Sequence, residues 1–205
     1  GTGPGLVINA NLIQGNGADS GAGGGLRFQS VNGTEVARFA TSPEQWYSVN
    51  VTNNIIANNV AGWDGAGVSL QDSLAVNLIN NTIISNDSTA SSGVLFNTFR
   101  KDLASEPPPP GGQQTNGNNS RPQPAGVSAS GNSSNLIASF SGLTITCPAN
   151  HPNCTQISFP ILYNNIIWQN RAFNVQVGSL SSTYQQNVVT LVPTLNQSLT
   201  GACMS

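Results

Sequence analysis

The chain has 205 residues, and 7% of them are charged, against about 25% in an ordinary soluble domain. Six basic and eight acidic residues leave a formal net charge of −2, which gives no electrostatic footprint for nucleic acid or an anionic membrane. Twenty-seven asparagines, with glycine, serine and threonine, take the place of charge as the solvating surface.

The first recognisable element is Ala10-Asn11-Leu12-Ile13-Gln14-Gly15-Asn16, an apolar pair set between amides. Gly25-Leu26-Arg27-Phe28 follows, a glycine before a short alternating strand. Trp46-Tyr47-Ser48-Val49-Asn50-Val51 reads as another alternating strand, and Asn53-Asn54-Ile55-Ile56-Ala57-Asn58-Asn59 repeats the amide-framed pair. Gly67-Val68-Ser69-Leu70 then repeats the glycine-strand motif. The next round holds Ala75-Val76-Asn77-Leu78-Ile79, Asn81-Thr82-Ile83-Ile84-Ser85-Asn86-Asp87 and Gly93-Val94-Leu95-Phe96. The last framed pair is Asn164-Asn165-Ile166-Ile167-Trp168-Gln169-Asn170.

Aligned in this way, the pairs step by 43 residues from Leu12 to Ile55, 28 from Ile55 to Ile83 and 83 from Ile83 to Ile166. A disordered polar chain has no reason to repeat such clusters. A β-sandwich would not need asparagine at equivalent positions, and a left-handed β-helix would show a six-residue period. The expected fold is all-β, a right-handed parallel β-helix in which each coil stacks on the last at about 4.8 Å. Stacked amides at the bends would satisfy the backbone groups that turns leave unpaired. Residues 1–205 are read as a single β-helix domain that continues into further coils or an assembly. No signal-peptide pattern opens the chain, so it is expected to be a processed chain or a piece of a longer one. No run of about 18 apolar residues occurs, so no membrane span is expected.

The Asn-Asn-Ile-Ile-X-Asn-Asn clusters and Tyr163-Asn164-Asn165-Ile166-Ile167-Trp168-Gln169-Asn170 resemble the repeats of right-handed β-helix proteins of bacterial surfaces. These include polymorphic outer-membrane proteins, autotransporter passengers and the pectate-lyase-like superfamily. The resemblance covers residues 6–98 well and 136–192 more loosely. It implies the fold and an extracellular or cell-surface location, and leaves function open, because this scaffold carries enzymes and inert spacers alike.

Residues 100–126, with Pro107 to Pro110 and the polar run from Gln113 to Arg121, read as a long Pro/Gly/Asn-rich loop inserted into the solenoid. A proline-rich ligand for a partner domain is the alternative. Cys147 and Cys154, seven residues apart, suit a disulfide closing a short loop in an oxidising compartment. With His151 they supply too few ligands for zinc, and no metal or cofactor is expected. Cys203 is left without an assigned partner. Sequons such as those at Asn32, Asn80, Asn86, Asn132 and Asn153 are frequent, as chance supplies in a chain this rich in asparagine.

Catalytic groups are few. A candidate carbohydrate-binding set is Trp63, Asp64 and Asp72, with Asp87 on the same face if the coils align. Trp63 would stack on a sugar ring and the carboxylates would bind its hydroxyls or cleave it. The competing reading makes Asp64 a turn cap and Trp63 a cover for the core edge. The expected function is therefore a non-enzymatic structural or adhesive module, with other subunits or coils as partners at its open ends. The alternative is a carbohydrate-binding or polysaccharide-cleaving β-helix protein.

Overall fold

The computed structural model describes residues 3–92, 120–149, 151–158, 160–180, 183 and 187–193. The described residues are all-β apart from two short helices and one 3-10 turn, and the strands recur in the same order on each pass. The first pass contains β1 (Leu6–Asn9), β2 (Leu12–Gln14), β3 (Gly17–Ala18) and β4 (Leu26–Val31). The second contains β5 (Val49–Thr52), β6 (Ile55–Ala57), β7 (Val60–Ala61) and β8 (Val68–Ser73). The third contains β9 (Val76–Ile79), β10 (Thr82–Ile84), β11 (Asp87–Ser88) and β12 (Val127–Ala129). The fourth contains β13 (Ile161–Tyr163), β14 (Ile166–Trp168) and β15 (Arg171–Leu180). Equivalent strands pair in parallel, giving the sheets β1-β5-β9-β13, β2-β6-β10-β14, β3-β7-β11-β15 and β4-β8-β12. β16 (Asn187–Pro193) adds antiparallel to β15.

Two residues separate the first and second strands of every pass, and two more separate the second from the third. The first residue of each pair takes a left-handed conformation: Ala10, Asn53, Asn80 and Asn164 at one bend, and Gly15, Asn58, Ser85 and Gln169 at the other. The second is always asparagine. Asn11, Asn54, Asn81 and Asn165 stack at the first bend, with each upstream amide donating to the Oδ1 of the next at 3.0–3.1 Å. Asn16, Asn59, Asn86 and Asn170 do the same at the second bend, at 2.8–3.0 Å. The same Oδ1 atoms also accept from the upstream backbone N–H, as Asn81 accepts from Asn54 N at 3.0 Å. The second Nδ2 proton reaches a backbone carbonyl of the previous pass, as from Asn81 to Val51 O at 2.8 Å. This accounts for the asparagine excess: sharp bends strip the backbone of partners, and buried groups must recover them.

The columns between the bends form the core. Val51 and Leu78 lie in register, as do Ile56 and Ile83, and all four are fully buried. Phe28 and Leu70 extend this cluster from the fourth sheet. Gly25, Gly67 and Gly126 stack in another column, where a Cβ on Gly67 would stand 2.5 Å from Gly126 O and 2.8 Å from Ile83 Cγ2. Glycine is required there by the close approach of backbones.

The register corrects the sequence alignment by one residue. Ile55 pairs with Thr82, and it is Ile56 that stacks on Ile83. The ladder asparagines step by 43, 27 and 84 residues. Two apolar residues in a row were aligned as if they were equivalent, but alternate residues of a strand face opposite sides. The third glycine-strand motif is also elsewhere. Gly126 and β12 hold the position under Gly67 and β8, whereas 93–98 lie outside the described residues. The expected loop ends earlier than read: residues 120–126 belong to the stack, with Ser120 N donating to Val175 O and Pro124 O accepting from Gly65 N. Residues 100–119 lie outside the described residues.

The strand expected from Trp46 begins at Val49, and the residues before it belong to a side lobe. It carries α1 (Gly33–Arg38), the 3-10 turn Pro43–Gln45 and α2 (Ser134–Ser139). Ser133 Oγ accepts from Leu136 N and caps α2. Glu35 in the first turn and Arg38 in the last complement the dipole of α1. Val36, Trp46, Leu74, Phe140 and Cys154 form a second small core beneath them. Trp46 Nε1 donates to Phe39 O at 2.8 Å. Cys147 and Cys154 are joined by a disulfide with Cα atoms 5.7 Å apart, as the spacing suggested. No described helix is long and apolar enough to cross a membrane.

Candidate functional site

Asp72 stands apart from Trp63 and Asp64. Asp64 is buried just before β8, and its two carboxylate oxygens accept from Ser69 Oγ at 2.9 Å and Ser128 Oγ at 2.8 Å. It joins the second pass to the third as a structural carboxylate. Trp63 is half-buried beside it, with its backbone N–H donating to Gly21 O. Asp72, near the end of β8, takes a left-handed φ of 49° and accepts from Ser133 N, the residue that caps α2. It lines a groove of about 500 Å3 between α1 and α2 whose other walls include Thr34, Ala37, Asn135 and Leu136. The two carboxylates share no partner, and the groove that holds Asp72 does not include Asp64.

Asp87 faces a different neighbour from the one the alignment suggested. Its register partner is Val60 on one side and Arg171 on the other. Arg171 Nε donates to Asp87 Oδ1 at 2.8 Å, and its Nη2 contacts Asp87 Oδ2. The hydrogen bond to Asp87 holds the guanidinium above its ordinary pKa, burial opposes this, and the aspartate charge adds to it. The guanidinium also lies over the Phe173 ring, 5.3 Å from its centroid.

This ion pair sits in a concave corner of about 310 Å3 between the second and third sheets, lined also by Asn58, Val60, Ser85 and Gln169. Trp168, 61% exposed, precedes Gln169 on the outer face of β14. The corner joins amides and a charged pair, a donor and acceptor set suited to hydroxyl-rich ligands. The sequence alignment set Asp87 against Asn170 and so missed Arg171. The signal was present in the ladder phase, because Asp87 follows Asn86 as Arg171 follows Asn170.

Among the described residues there is no group of three or more His, Cys, Asp or Glu side chains placed to hold a metal ion. Of the sequons, Asn32, Asn86 and Asn132 are buried, whereas Asn80 and Asn153 are exposed. Fold and site together define an all-β chain of stacked parallel sheets with amide ladders at two bends. No family model, curated protein or solved structure matches it.

Proposed function

We propose that the chain is a right-handed parallel β-helix and acts as a non-enzymatic extracellular module, a spacer or adhesive scaffold within a larger surface assembly. The observation that carries this reading is the pair of in-register asparagine ladders. They spend the chain's amides on rigidity along one axis. The right hand follows from the chirality of parallel crossovers, which twist that way in about 98% of cases. The acids most suited to chemistry have structural duties: Asp64 holds two serines, Asp72 receives the α2 approach and Asp87 pairs with Arg171. The disulfide supports an oxidising, extracellular setting.

An experimental structure read for the hand of the winding tests the first part. Incubation with plant and bacterial polysaccharides tests the second. Release of reducing ends or unsaturated sugars would overturn the non-enzymatic reading. A second reading, carbohydrate binding, is favoured by the corner at Asp87, Gln169 and Arg171 beside Trp168. A glycan array with wild type and Trp168→Ala separates it from the first.

A further inference from the structure

We propose that the two ends of the stack are complementary, and that copies of this chain join head to tail, the fourth pass of one carrying the first pass of the next. The inference deepens the proposed function and rests on its in-register stacking.

The ladder at the first bend has a direction. Each asparagine gives its backbone N–H and one Nδ2 proton to the Oδ1 of the next pass. The two ends therefore differ. At the first pass, Asn11 Oδ1 receives no donor, and the spare Nδ2 proton of Asn11 turns back to Asn9 O at 3.0 Å. At the fourth pass, the backbone N–H of Asn165 and one of its Nδ2 protons have no acceptor among the described residues. One end lacks what the other offers.

The strands and core of the first two sheets match in the same way, whereas in the third sheet β16 pairs with β15 from Phe173 onward and leaves Arg171 and Ala172 outside that pairing. Among the described residues, β1 and β2 have partners on one edge only, and so have β13 and β14. Leu162 and Ile167 continue the interior columns of Leu78 and Ile83, yet are 50% and 48% exposed. The first pass offers Ile8 and Ile13, partly buried against the same core. Carried one step further, the register places Ile8 over Leu162, Asn11 over Asn165 and Ile13 over Ile167. The spacing agrees throughout, since two residues lie between Ile8 and Asn11 and two between Leu162 and Asn165. On docking, Asn11 Nδ2 exchanges Asn9 O for Leu162 O, the bond that Asn81 makes to Val51 O one pass earlier. The contact is between different surfaces, so it does not close on itself and adds copies in a row.

The occupant of each end is thus a second copy of this chain. Sedimentation and light scattering over a concentration series, about 10 μM to 1 mM for a contact of this modest size, test it. Two substitutions block one end each. Leu162→Glu puts a charge on the fourth-pass end at a half-exposed position. Val7→Pro removes an N–H from the first-pass edge. Because Ala10 N donates to Thr52 O, strand alternation aims Val7 N–H away from β5. If Val7→Pro melts below wild type, Asn9→Pro, with the same outward aim, replaces it.

Wild type should grow in mass with concentration and form single-file rows in electron micrographs. Each variant alone should stay monomeric, and an equimolar mixture should form dimers and stop there. A wild-type chain that stays monomeric while keeping its β-sheet circular dichroism overturns the inference and leaves the proposed function standing. Loss of that spectrum overturns both. A folded mixture that stays monomeric, or a wild type that associates only after removal of residues 194–205, also overturns head-to-tail joining.

Discussion

Asn81→Ala is the sharpest test of the ladders. Asn81 is 1% exposed, and its side chain accepts from Asn54 N and Nδ2 and donates to Val51 O and Asn165 Oδ1. Truncation leaves Asn54 N–H and Val51 C=O buried without these partners, at about 1–3 kcal/mol each. The two lost amide–amide bonds add about 1 kcal/mol apiece, so the expected cost is about 4–6 kcal/mol after partial relaxation. Asn11→Ala is the matched control. Asn11 is exposed, its Oδ1 has no donor, and its Nδ2 bonds can be replaced by water, so about 1 kcal/mol or less is expected. Urea denaturation of the three proteins at one dilute concentration gives both differences. Equal costs for the two variants, or a cost below about 1 kcal/mol for Asn81→Ala, would refute the claim that the amides hold the bends.

Three further substitutions and one reduction follow from the same geometry. Gly67→Ala places a Cβ 2.5 Å from Gly126 O and should cost about 3 kcal/mol or more, whereas Gly126→Ala meets side chains no closer than 3.0 Å and should cost less. The order of their denaturation midpoints checks this. Ala10 holds a φ of 57° where its counterparts are asparagines, so Ala10→Gly should stabilise by about 0.5–1 kcal/mol and raise the melting point by about 1–4 °C. Reducing Cys147–Cys154, which closes a loop with a sequence separation of 7, should cost about 2–3 kcal/mol. Because Cys154 packs with Val36, Trp46 and Phe140, tryptophan fluorescence should report this loss.

The repeat was legible because both of its causes leave marks in sequence. A left-handed bend selects glycine or asparagine, and a stacked amide selects asparagine, so Asn53-Asn54 and Asn164-Asn165 stand out. The exact phase was harder to read. Asn80-Asn81-Thr82-Ile83 is the true match to Asn53-Asn54-Ile55-Ile56, but Thr82 sits at an outward position where polarity is tolerated, and Ile84 invited the wrong alignment. That slip hid the Asp87–Arg171 pair, which depends on phase alone. The side lobe was illegible for a different reason. α1 and α2 have six residues each, too short for a helical period to show, and they owe their existence to packing over Leu74 and Phe140. Asp64 read as a sugar ligand or a turn cap, and its tie to Ser128 left no mark in the sequence because that partner comes 64 residues later.

The side lobe changes how the molecule can come apart. Stacks of repeats ordinarily unravel unit by unit, since each touches only its neighbours. Here α1 leaves after the first pass and α2 after the third, and both settle on Leu74, at the turn from the second pass into the third. The lobe therefore acts as a clasp across three layers, and a mechanical pull that frees the first layer must also prise open the clasp. Force applied along the axis should meet a single large resistance in place of a staircase of small ones.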